Sequence, residues 1–241
     1  MMNRAAIISA LKKDLQTLQG LHRVHNHALD EALWFFKAAF PAGQFPLGCV
    51  HEFQAFTAED MAASRGFISS ILSHLLQDKN MAVWISRQQD HCPPALPAFS
   101  ISPDRFLFVR HHNEKELLWV AEEFLKYEQL TALVAEFSHL DFTASRRFQL
   151  AVEKSKVTAF VLRTDAGKIT NNASVSRWQV KSIPSAKTGL PGVGFPAWEV
   201  ALLKMRNGKP LTVSLEYRNG RLQLLQQAQT IVIASPEKAT G

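Results

Sequence analysis

The chain has 241 residues, of which 46% are hydrophobic and 20% charged, so it can bury a sizeable core and is not a disordered protein. No apolar run reaches the ~18 residues that a membrane span needs, and two cysteines, Cys49 and Cys92, make no disulfide framework. The net charge of +6 is uneven: residues 1–140 hold 12 Lys/Arg and 15 Asp/Glu, a net −3, while residues 141–241 hold 15 and 6, a net +9. A basic C-terminal part suits a polyanion or an acidic protein surface, and equally a solvated face that aids solubility.

The first residues do not follow the order of a signal peptide, because the apolar stretch is short and runs into Lys12 and Lys13. A cytoplasmic location is expected. Residues 4–19 predict a helix, with Ile7, Ile8, Leu11, Leu15 and Leu18 at helical spacing. Residues 28–40 predict a second, ended by Pro41 and Gly43. Residues 47–53 read as a strand and residues 67–76 as a buried helix.

Between that strand and that helix lies Gln54 to Ala63, in the place of a phosphate-binding loop. Such a loop needs glycines whose amides wrap the phosphates, a lysine and a Ser/Thr for Mg²⁺. The stretch has the frame and none of that chemistry. A helix start with acidic residues in its first turn accounts for it better.

From there strands and helices alternate. Met81–Ser86 and Phe106–Arg110 are short strands, separated by a proline-rich loop over 91–97. Residues 114–126 are helical, with Asn113 as the cap. Thr131–Phe137 and Val157–Arg163 have little alternation, as when both faces are covered, and Thr143–Lys154 between them is a helix. After Thr164 the pattern changes. Leu211–Tyr217 alternates, Asn219-Gly220 is a hairpin turn, and Arg221–Leu225 returns. Residues 176–182, 198–205 and 230–234 also read as strands, with a Gly/Pro-rich loop over 184–196. The fold class expected is α/β: a mostly parallel sheet with helices on both faces and an antiparallel C-terminal extension.

This order resembles a RecA-type core. Three runs are similar to the ImuA family in particular: Leu140–Leu150 (LDFTASRRFQL), Gly194–Val200 (GFPAWEV) and Leu203–Pro210 (LKMRNGKP), together with Pro93-Pro94-Ala95-Leu96. The likeness covers nearly the whole chain. It implies an N-terminal helical segment over 1–43, a RecA-like core over 44–165, an antiparallel extension of the same domain over 166–235 and a tail over 236–241. It also implies a non-catalytic adaptor in SOS-induced, error-prone translesion DNA repair. The implied partners are an ImuB-like protein and an error-prone DNA polymerase, then RecA, with weak or indirect DNA contact; the basic C-terminal part leaves a direct DNA site open as well. Some members are similar to SulA, so inhibition of the division GTPase is the alternative, and an ATPase with a non-standard nucleotide site is a third.

In the phosphate-loop frame Ala55 stands at the first glycine, Asp60 at the second, Met61 at the lysine and Ala62 at the Ser/Thr. Gln88 stands where a RecA-type ATPase carries its catalytic glutamate and is no general base. Glu136 falls near the Mg²⁺-associated acid and reads better as a hydrogen-bonded strand-end residue. No cofactor and no metal are expected: His22, His25 and His27, and the pair His111-His112, lack partners at ligand spacing. Lys204 and Arg206 lie where RecA carries basic residues that reach a neighbour's ATP, which makes them partner-binding candidates or a plain basic edge. Arg146 and Arg147 open a helix beside a family run and are candidates as well. Phe148, Leu150 and Ala151 are expected in the core.

Overall fold

The computed structural model describes residues 26–77, 80–87, 93–164, 172–185 and 194–225. The expected helix over 4–19, the strand over 230–234, the tail, Gln88, Cys92, His22 and His25 lie outside these residues. Among the described residues nine strands form one sheet in the order β3-β2-β4-β5-β1-β6-β7-β8-β9. They are β1 (Val50–Gln54), β2 (Ala82–Ser86), β3 (Phe106–Arg110), β4 (Ala132–Phe137), β5 (Thr158–Arg163), β6 (Ser176–Ile183), β7 (Ala197–Met205), β8 (Leu211–Arg218) and β9 (Arg221–Leu224). Pairs from β3 through β6 are parallel and pairs from β6 to β9 antiparallel. The α/β class and the antiparallel extension are borne out, and the arrangement is consistent with a RecA-like core.

Both faces of β1 are buried, and its side chains divide by alternation. Phe53 joins a core with Phe36, Phe67, Trp178 and Trp198, on the face covered by α1 (His27–Ala32) and α2 (Ala58–Leu75). Val50 joins the opposite core, with Val161, Leu117 and Phe148, under α3 (Glu114–Leu125) and α4 (Phe142–Ser155). Trp178 is the hub of the first core: its ring centroid lies 5.1 Å from Phe36 and 5.9 Å from both Phe53 and Phe67.

Three expectations need correction. The helix over 28–40 is one short helix ending at Ala32, followed by a 3₁₀ turn over Trp34–Phe36. Trp, Phe and Phe in succession bury two rings only when the chain tightens there, and Phe35 and Phe36 are the buried pair. The proline-rich stretch is a 3₁₀ helix over Pro93–Phe99 rather than an open loop. Leu150 is half exposed, at 50%, because its position on α4 points away from the sheet, whereas Phe148 and Ala151 are buried as expected.

Candidate functional site

The carboxyl ends of the parallel strands converge on a cleft of about 590 Å³. Open α/β sheets bind ligands in such crevices. Ala55 follows β1, Arg87 follows β2, His112 follows β3, Glu136 and Ser138 close β4, and Thr164 follows β5.

The turn from β1 into α2 is only three residues long, Ala55, Phe56 and Thr57. The expected helix start with acidic residues in its first turn is what stands here: Asp60, Met61 and Ala62 are helical, and only Ala55 of the four frame positions belongs to the turn. The cause is local. Thr57 caps the helix, its hydroxyl accepting from the Asp60 amide at 3.1 Å, and the Asp60 carboxylate accepts from the Phe56 amide at 3.2 Å. The Ala55 amide donates to the Arg163 carbonyl at 2.9 Å and continues the sheet. Amides that would face a phosphate are thus turned to the chain's own oxygens. The Glu59 carboxyl, in the first helical turn, is held below its usual range by its own amide and by the Thr57 hydroxyl. Two carboxylates therefore stand at the positive end of the α2 dipole.

Glu136 is a hydrogen-bonded strand-end residue, as expected. Arg65 of α2 grips it through Nε to Oε1 at 2.8 Å and Nη2 to Oε2 at 2.6 Å, and Trp84 Nε1 donates to Oε1 at 2.9 Å. A carboxylate held by three donors has little left for a metal ion. Arg87 reaches Ser138 at 2.9 Å and Glu114 at 3.6 Å across the mouth. Phe56, 45% exposed, stands at the rim. Among the described residues no group of three or more His, Cys, Asp and Glu is placed to hold a metal ion. Of the expected surface histidines, His27 pairs with Glu31 at 3.3 Å and His111 with Glu116 at 3.1 Å.

The four basic candidates do not gather at the cleft. β7 runs antiparallel to β6, and its end, Met205, pairs with the start of β6, Ser176. Lys204 and Arg206 therefore sit at the opposite end of the sheet from the cleft. Lys204 is exposed; Arg206 is half-buried, its Nη2 donating to the Ala173 carbonyl at 3.0 Å. The amide of that same Ala173 donates to Ser145 of α4 at 3.0 Å, so α4 and the end of β7 meet over one residue. Arg146 and Arg147 are both exposed. Arg147 pairs with Glu122 of α3, while Arg146 has no ion-pair partner among the described residues.

Sequence reasoning missed two buried groups. Glu52 on β1, fully buried, accepts from Arg163 of β5 and from Arg177 Nε of β6 at 2.7 Å. Charged residues inside otherwise apolar strands were the available signal. His51 is also fully buried, stacked between Phe45 at 4.5 Å and Phe160 at 5.5 Å. A chain of hydrogen bonds fixes its tautomer: Trp178 Nε1 donates to Ser176 Oγ at 2.7 Å, Ser176 to His51 Nδ1 at 2.6 Å, and His51 Nε2 to the Pro46 carbonyl at 2.8 Å.

An α/β core consistent with a RecA-like one, with a tight, self-capped turn between β1 and α2, defines the class. No protein-family model matches the chain. Protein ImuA of Caulobacter vibrioides strain NA1000 / CB15N is 35% identical over 187 residues, which cover 71% of this chain and 75% of the relative. Protein ImuA of strain ATCC 19089 / CIP 103742 / CB 15 matches to the same extent. The chain belongs to the ImuA family.

Proposed function

We propose that this protein is a non-catalytic, RecA-like adaptor in error-prone translesion DNA repair, working in the cytoplasm through protein contacts and without a cofactor. The self-capped turn between β1 and α2 carries the reading. Three residues without glycine offer no cradle for a triphosphate, and the acid at the end of β4 is engaged by Arg65 and Trp84. A scaffold retained without its phosphate site keeps its surfaces as its means of action. The partners are an ImuB-like protein and an error-prone DNA polymerase, with a RecA filament as a further partner. Arg146, and the end of the sheet with Lys204 and Arg206, are the contact residues we assign. The core over 44–165 and the extension over 166–235 act as one domain in this reading.

Calorimetric titration with Mg·ATP tests the first half: no heat of binding is expected, and micromolar affinity would overturn it. Affinity capture of the tagged protein from cells exposed to DNA damage tests the second. Recovery of ImuB and the polymerase is expected. Recovery of the division GTPase in their place would move the protein to the SulA-like role.

A further inference from the structure

The end of β7 and the β7–β8 turn carry Lys204, Arg206 and Lys209 to the end of the sheet opposite the cleft. The Lys209 amide donates to the Ala39 carbonyl at 3.0 Å, tying this turn to the segment that bears Trp34 and Lys37. Gly208 permits the approach: a Cβ there would lie 2.2 Å from the Ala39 oxygen. On the other flank, Lys154 and Lys156 end α4. Lys156 Cα is 3.3 Å from the place a Gly48 Cβ would take, and Arg206 acts electrostatically on Cys49 next in sequence. Six cations from three separate stretches thus border one end of the molecule.

Carboxylates there are few and engaged. Asp30 accepts from the Phe45 amide at 2.8 Å, Glu31 pairs with His27, and Glu153 accepts from Gln149 at 3.2 Å. Lys37, Lys154, Lys204 and Lys209 are exposed and have no carboxylate partner among the described residues. Beside Lys37, in a shared recess, stands Trp34, 59% exposed, its ring set edge-on against Phe35 at 5.8 Å.

We propose that this end binds single-stranded DNA, with the cations tracking the phosphate backbone and Trp34 stacking on an unpaired base. The cations are spread along an edge instead of converging on one point, which suits a chain of phosphates better than a single triphosphate. An exposed indole beside them offers a face to any base, and a paired base could not reach it. Lys154, Lys156, Lys204, Arg206 and Lys209 of the basic C-terminal part thereby border one surface, and the aromatic group comes from the N-terminal third. The inference stands apart from the adaptor reading, since either can fail alone.

Fluorescence anisotropy of a fluorescein-labelled oligothymidylate with the full-length protein tests it. Binding is expected at low salt, with log affinity falling against log salt at a slope of about −3, as about four phosphate contacts would give. K204E/K209E should weaken binding by about ten-fold or more. W34A should weaken it by about ten-fold, with W34F restoring most of the loss. K115E, a single reversal of the same kind at the cleft end, should bind as the parent does, and all variants should keep the parent's melting temperature. No anisotropy change at low salt, or equal losses in K115E and K204E/K209E, would overturn the proposal. So would a signal that needs RecA and ATP, which would assign the lysines to a nucleotide held by a neighbour.

Discussion

Arg65 and Glu136 form a two-point ion pair across the cleft, at 2.8 and 2.6 Å, from a side chain 21% exposed to one 9% exposed. The guanidinium of α2 stands in the cleft, beside the turn that leads out of β1. R65M should cost about 2 kcal/mol, because it strands a nearly buried carboxylate with Trp84 as its remaining donor. R65M/E136L should recover most of that loss. Urea unfolding of the three proteins checks both, and equal stability of R65M and the parent would contradict the assignment.

Installing phosphate-loop residues in this stretch should not create nucleotide binding. D60G/M61K/A62T supplies glycine, lysine and hydroxyl, but the turn still has three residues and Thr57 still caps α2. No calorimetric signal with Mg·ATP is expected. Loss of the Asp60 carboxylate should also lower stability by about 1 kcal/mol.

Two glycines should respond differently to a methyl group. G66A would set its Cβ 2.7 Å from the Trp198 ring, a side chain that can shift, at about 1–2 kcal/mol. G208A would meet the Ala39 carbonyl at 2.2 Å, which is backbone and is held by Lys209. The second substitution should cost more, about 3 kcal/mol, and should loosen the turn that presents Lys204 and Arg206. Thermal melts rank the pair.

Burial pushes the His51 pKa down from 6.5 to about 4. The fold therefore holds the ring neutral, and the unfolded chain takes up a proton first as pH falls. The associated stability is fully present above pH 6.5 and is lost progressively as pH falls to 4, by about 2–3 kcal/mol at about 1.4 kcal/mol per pH unit. Denaturant titrations at pH 7 and pH 4.5 measure the slope. H51L should flatten it in this range, while being less stable at pH 7 because the Ser176 and Pro46 partners are left unmet.

Periodicity made most elements legible. The cap Asn113 and the hairpin at Asn219-Gly220 stand where local chemistry put them. Local rules failed where a long-range partner decided. The stretch over 28–40 has helical spacing, yet it breaks so that Phe36 can meet Trp178, far along the chain. Leu150 reads as a core residue by type, and only the direction of α4 on the sheet leaves it outside.

The sequence by itself determined the α/β class, the lack of glycine and lysine between Gln54 and Ala63 and the surplus of positive charge after residue 140, because these follow from residue type and spacing. Tertiary structure alone decided that Arg65 occupies Glu136, and that Lys37 and Trp34 join Lys204, Arg206 and Lys209 at one end. Both depend on which distant elements meet, and contacts across 70 or more positions are set by how the two cores pack and not by any local pattern.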